Sequence, residues 1–100
     1  MRRAAKVDSN HGVIRDAFRS MGCSVADTFQ LGGGFPDMVV AISGVNVLVE
    51  VKDGDKPPSA RRLTKDEQEF RDGWGGPYEI VETIEDAHRL VNEMRQRARA

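Results

Sequence analysis

The sequence is poor in the residues that announce many function classes. Its single cysteine, Cys23, cannot form an internal disulfide and has no cysteine or histidine neighbours at zinc-ligand spacing, so it reads as a small core residue. The two histidines, His11 and His88, lie far apart on expected helices and read as ordinary helix residues. A net charge of −1 rules out bulk electrostatic attraction to nucleic acid, leaving any such contact to local patches. No apolar run is long enough to span a bilayer and no secretory leader is recognisable, so a cytoplasmic location is expected. The glycines of Leu31-Gly32-Gly33-Gly34 are not followed by the lysine and hydroxyl residue of a Walker loop, which argues against a nucleotide cofactor.

What is present centres on the stretch from Gly34 to Lys52. Two apolar runs flank Ser43-Gly44, a dipeptide suited to a tight turn, so two antiparallel strands are expected. That turn sets Asp37 opposite Glu50. Met38, Val40, Ile42, Val47, Val49 and Val51 then share one face, the core face, while Asp37, Val39 and Ala41 share the other with Asn46, Leu48, Glu50 and Lys52. Directly opposed carboxylates, with Cβ atoms roughly 5 Å apart, repel each other and destabilise a sheet unless something compensates. Mg²⁺ or Mn²⁺ suits oxygen ligands at that separation. Lys52, two residues beyond Glu50, is placed to orient a water or offset charge developing on a phosphate oxygen. A solvated Asp-Glu-Lys surface cluster is the plainer alternative, weakened here by the apolar hairpin around it.

The remaining chain is expected to supply three helices and two further strands. Asp8 or Ser9 can cap a first helix that ends at Gly22, with Val13, Ile14, Ala17, Phe18 and Met21 as its buried stripe. Ser24 to Phe29 reads as a short strand, and Pro36 presets the chain just ahead of Asp37. The polar connection from Asp53 to Arg62 contains two prolines that disfavour helix and sheet. Its Lys56, Arg61 and Arg62, with Lys65, form the basic cluster best placed to hold phosphates beside the acids, although a merely solvated loop explains them too. Thr64-Lys65-Asp66-Glu67 is a capping box opening a second helix, on which Phe70 and Trp74 share an apolar face and read as core. Tyr78 to Val81 is a fourth strand, and a third helix starts at Thr83 with Ile84, Ala87, Leu90, Val91 and Met94 buried. The basic ends, residues 1–6 and 95–100, are expected to fray.

The order Gly34-x-Pro36-Asp37, then Glu50-Val51-Lys52, then Leu63-Thr64-x-x-x-Gln68-x-Phe70 resembles the PD-(D/E)XK nuclease superfamily, and within it the stand-alone VRR-NUC domains found mainly in phages. The likeness runs from about Val7 to Val81 and is most specific between Gly34 and Phe70. It implies a single α/β domain over residues 1–100, with a restriction-endonuclease-like αβββαβ core and a mixed four-stranded sheet flanked by helices. It implies metal-assisted phosphodiester hydrolysis in which Asp37 and Glu50 hold one or two Mg²⁺ or Mn²⁺ ions, with the Val51 carbonyl as a backbone ligand and Lys52 at the attacking water. Gln68 then reaches a water or phosphate oxygen. Asp8 and Asn10 are the helix-one groups near the metal, with capping as the rival explanation of Asp8. Similarity to Holliday junction resolvases implies a homodimer acting on branched DNA. A nuclease for flaps, single strands or duplex ends, and a DNA-binding module without chemistry, are the competing readings.

Overall fold

The computed structural model describes residues 7–99. The basic lead expected over residues 1–6 lies outside them, as does residue 100. In order, the chain forms α1 (His11–Ser20), β1 (Ser24–Asp27), β2 (Met38–Ile42), β3 (Val45–Val51), α2 (Lys65–Gly73), β4 (Tyr78–Val81) and α3 (Ile84–Arg99). The four strands make one mixed sheet in sequence order, antiparallel except for the parallel pair β3 and β4. This is the expected mixed four-stranded α/β architecture with flanking helices.

The β2–β3 hairpin turns at Ser43 and Gly44, whose φ angles of +54° and +80° are both positive, as a type I′ turn requires. The resulting register pairs Met38 with Val49 and Ile42 with Val45. Met38, Val40, Val47, Val49 and Val51 are accordingly buried on one face, where they meet Ile14 and Phe18 of α1 and Ala87, Leu90, Val91 and Met94 of α3. Cys23 belongs to the same core. Each fully buried side chain of this size contributes about 1.5 to 3 kcal/mol relative to exposure, so the two helices and the hairpin hold one another in place.

Several boundaries differ from expectation for local reasons. The first helix begins at His11 rather than Asp8 or Ser9, and the side chain of its N-cap Asn10 does not cap it. All three side chains are used elsewhere, as described below. At the other end, Gly22 adopts φ +93°, the Gly22 amide donates to Arg19 O, and the Cys23 amide donates to Phe18 O, which completes a Schellman cap. Val13 and Ile84, expected in buried stripes, are exposed, each lying at the margin of its helix stripe.

The first strand stops at Asp27, and Phe29–Leu31 forms a 3-10 turn. The Thr28 amide still donates to Asp37 O at 2.9 Å, which ties the approach of Asp37 to the end of β1. A second 3-10 turn, Pro58–Ala60, interrupts the connection expected to lack regular structure, with proline in its first turn where a missing N–H costs nothing. The third helix continues through Arg99, so the tail expected to fray is helical over 95–99, and Arg95 donates to Met21 O at 2.8 Å.

Candidate active site

The register that buries the valines sends the other side chains of β3 to the opposite face, beneath α2. Glu50 and Lys52 are only 3% and 8% exposed there. β3 is an interior strand, and Lys52 follows directly on its last residue.

The ladder ends at Met38 and Val49, and Asp37 does not form the next rung. Its side chain instead turns toward β3, where Oδ2 accepts the Val51 amide at 2.7 Å. This places the Asp37 carboxyl against that of Glu50, on the same side of the sheet, and the two interact directly. Burial pushes the Glu50 carboxyl up to about 10, reinforced by the Asp37 charge and then that of Glu67, with Lys52 opposing. Burial also raises Asp37, against the pull of the Val51 amide and of His11. Glu50 Oε1 is buried and accepts no hydrogen bond from the described residues.

Lys52 Nζ lies 3.7 Å from Glu50 Oε2 and 2.7 Å from Glu67 Oε1. Burial disfavours the ammonium, but Glu67, with the charges of Glu50 and Asp8, outweighs that cost and the lysine is held above its ordinary value. Glu67 is the site residue that sequence reasoning misses. Its spacing from Thr64 assigns it wholly to the capping box, which does form: Thr64 Oγ1 accepts the Glu67 amide at 3.2 Å and Glu67 Oε1 accepts the Thr64 amide at 2.9 Å. The same carboxylate oxygen serves both α2 and Lys52. Burial works against its charge, yet Lys52 and the Thr64 amide hold its pKa below the usual range.

The helix-one candidates separate. Asn10 Nδ2 donates to Lys52 O at 3.0 Å and to Glu82 O at 3.1 Å, fastening the start of α1 to the ends of β3 and β4. It supports the backbone behind the site. Asp8 pairs with Lys56 at 3.2 Å, and its charge raises the Lys52 pKa, while Ser9 donates to Asp53. His11, an ordinary helix residue by sequence, is 4% exposed, with Nε2 2.9 Å from Asp27 Oδ1, and its presence lowers the Asp37 pKa. Only the distant pairing of α1 with the end of β1 reveals that role.

The four basic candidates do not form one cluster. Lys56 is paired with Asp8, Arg61 Nη1 lies 3.2 Å from Glu82 Oε2, and Lys65 is exposed at the start of α2. Arg62 lines a separate cavity with Arg61 and Gln68, so Gln68 faces that cavity whereas Glu67 faces Lys52. Of Val51, it is the amide that meets Asp37. Phe70 stacks with Trp74 at 5.4 Å and meets Phe35 edge-on at 5.1 Å, but Trp74 is 44% exposed, so this aromatic group is a satellite cluster rather than the core expected for both residues. Tyr78, beneath Phe70, has a buried hydroxyl without a partner among the described residues.

Chemically, this donor set fits a hard divalent cation. Two adjacent carboxyls are held against repulsion, and one buried carboxyl oxygen lacks a donor. Among the described residues, no group of three or more histidine, cysteine, aspartate or glutamate side chains is disposed to hold a metal, so the pair would need backbone oxygen or water to complete a shell.

A solved structure described as a "VRR_NUC domain" has the same fold, with a TM-score of 0.57 and 24% identity over 85% of this chain and 97% of that one. No protein-family model and no curated protein matches the chain. The fold is therefore that of a VRR_NUC domain, in agreement with the Gly34 to Phe70 motif. Among the described residues, no helix is long and apolar enough to cross a membrane.

Proposed function

We propose that this chain is a metal-dependent DNA endonuclease that hydrolyses phosphodiester bonds, with branched DNA as the leading substrate and a homodimer as the working form. One observation carries the reading: Asp37 and Glu50 are pressed together on the face that also holds Lys52, with a Glu50 oxygen left without a donor. Burying two mutually repelling acids is costly unless a cation neutralises them. The shared fold with a VRR_NUC domain supports the same reading.

Asp37 and Glu50 would hold Mg²⁺ or Mn²⁺, with the Val51 carbonyl as a candidate third oxygen. The bound ion supplies Lewis acidity toward a phosphate oxygen and lowers the pKa of water. The chain's own residues do the rest. Glu67 fixes Lys52 as an ammonium, so Lys52 orients the attacking water and offsets charge on the phosphate rather than accepting a proton. The Val51 amide sets the Asp37 carboxylate, and Asn10 holds the backbone of Lys52. Water attacks phosphorus as the bond to the in-line 3′ oxygen breaks, its proton passing to bulk solvent and the leaving oxygen taking one from solvent, without a covalent protein intermediate. Lys56, Arg61, Arg62 and Lys65 contact phosphates flanking the site, and Gln68 binds the strand from the cavity that it lines. One chain carries one set of acids, so cutting two strands of a junction calls for two copies related by a two-fold axis.

The test is cleavage of four-way junction, flap, single-stranded and linear duplex DNA with Mg²⁺ or Mn²⁺, beside Lys52→Ala whose folding is checked by circular dichroism. Cutting that requires metal and is lost in a folded Lys52→Ala supports the assignment. Binding without cutting of any DNA form under either metal overturns it in favour of a non-catalytic DNA-binding module.

A further inference from the structure

Between the start of α2 and β4 lies a cavity of about 320 Å³ lined by Arg61, Arg62, Leu63, Gln68, Arg71 and Ile80. Its position follows from the sheet. Ile80 pairs with Glu50 across the parallel β3–β4 ladder, so the cavity begins one interstrand step, about 4.8 Å, from the strand that carries the acids. Gln68 and Arg71 are three apart on α2 and line it together, while Glu67 points to Lys52. The Arg71 charge also reaches Tyr78, whose hydroxyl lies within the field of Glu50 and Glu67. Cavity and acids thus adjoin, the one lined by Ile80 of β4 and the other carried by Glu50, its partner on β3.

The lining is amphipathic in a specific way. Three guanidiniums and one amide supply donors, opposed by Glu82 on Arg61 and by Asp72, 3.5 Å from Arg71. The Arg61 Nε is buried and unpartnered among the described residues, and Arg62 has no partner among them. Leu63 and Ile80 supply apolar surface, with Ile80 37% exposed although it sits on a sheet. Guanidiniums bind phosphate through paired N–H groups and also offer flat faces for bases to stack on, and the aliphatic side chains suit a base or sugar edge.

We propose that this cavity is a nucleotide subsite, which takes one unpaired nucleotide adjoining the phosphate that is cut. A base held within a continuous duplex cannot leave its stack to enter such a hollow without an unstacking cost, whereas a nucleotide at a flap, fork or single-stranded arm enters freely. Among branched DNAs, the cavity thus favours those with an unpaired nucleotide beside the cut, flaps and forks over a fully paired four-way junction. This rests on the nuclease reading for its biological meaning, but the binding itself requires no chemistry.

The test is therefore made first in EDTA, with fluorescein-labelled oligothymidylate and a blunt duplex of equal length, by anisotropy across a salt series. Arg62→Gln/Arg71→Gln changes two exposed side chains. We expect it to weaken oligothymidylate binding about tenfold and to lower its log–log salt slope by about 0.7 for each phosphate no longer neutralised, with a smaller effect on the duplex. Equal weakening for both DNA forms, or none, overturns the subsite. Oligonucleotides with and without a 5′ phosphate then separate a terminal from an internal phosphate as the anion bound, and either supports the subsite provided the variant abolishes the difference from duplex. With Mn²⁺, the flap-to-duplex ratio of cutting rates should fall toward one in the same variant. If wild type cuts nothing yet shows this arginine-dependent binding, the nuclease reading fails and the subsite stands. Cutting with no preference for unpaired DNA in wild type overturns the subsite alone.

Discussion

Glu67 Oε1 lies 2.7 Å from Lys52 Nζ and 2.9 Å from the Thr64 amide. A single oxygen thus caps α2 and anchors the lysine of the site. Folding α2 and organising Lys52 are one event, because the carboxylate that closes the first turn is the one that holds the ammonium.

Glu67→Gln separates these roles. Glutamine still completes a capping box, so helix formation should persist, but the charge that holds Lys52 is gone. We expect a loss of about 1 to 3 kcal/mol in urea unfolding, the range for a hydrogen bond to a charged group, and a fall in kcat of about tenfold or more with little change in KM. Glu67→Ala should cost about 1 kcal/mol more through removal of the cap. Equal stability of the two variants would show that the cap contributes nothing here.

The hairpin, the two faces of the sheet, the capping box and all four strands follow from short-range patterns and were legible, with only the first strand ending earlier than expected. Periodicity of two buries the valines, and two positive-φ turn residues set the register. Glu50 and Lys52 share a face because of that period, whereas Asp37, beyond the last rung, meets Glu50 because its carboxylate turns to accept the Val51 amide. Glu67, His11 and the outward position of Trp74 were not legible, since each depends on which helix covers which face. The separation of Lys56 from Arg61 and Arg62 is of the same kind: Lys56 is claimed by Asp8 and Arg61 by Glu82, both distant in sequence.

Glu50 makes the metal-free protein sensitive to alkali. Its carboxyl is raised from an ordinary 4.5 to about 10 by burial and by Asp37. Above pH 4.5 the unfolded chain has lost this proton while the folded one keeps it, so stability falls as pH rises, by up to about 1.4 kcal/mol per unit. Asp37 is raised and acts in the same direction, whereas Asp27 and Glu67 are lowered and affect stability only at acid pH, where their charge is lost. Urea midpoints in EDTA should therefore decline from pH 6 to 9 in wild type and flatten in Glu50→Gln. Added MnCl₂ should raise the wild-type Tm more at pH 8 than at pH 6, because holding the ion requires deprotonated acids. A flat wild-type profile would place the Glu50 proton elsewhere.

Asn10 links three elements through one amide. Asn10→Asp removes the donors that reach Lys52 O and Glu82 O and sets a carboxylate against both carbonyls. The expected cost is about 2 to 4 kcal/mol, measured by urea unfolding, whereas Asn10→Ala, which only leaves the carbonyls unpaired, should cost about 1 to 3 kcal/mol. If aspartate is as well tolerated as alanine, the carbonyls do not face position 10 in solution.

Gly34 controls how closely α2 approaches the acids. Its φ is +82°, and a β-carbon there would collide with the carbonyl of Asp66 in the first turn of α2. Neither the conformation nor the contact admits a side chain, because the obstacle is backbone and cannot rotate away. Gly34→Ala should cost at least about 2 kcal/mol and displace the turn that carries Glu67. Gly33 also has a positive φ, +65°, but nothing lies within 4 Å of its β position. Gly33→Ala should cost only the conformational part, about 1 kcal/mol. The comparison isolates the steric clash: thermal unfolding should rank the variants with Gly34→Ala well below Gly33→Ala, and only the former should impair cutting through disruption of the Glu67 to Lys52 pair. Equal Tm values would mean that α2 stands clear of the glycine loop.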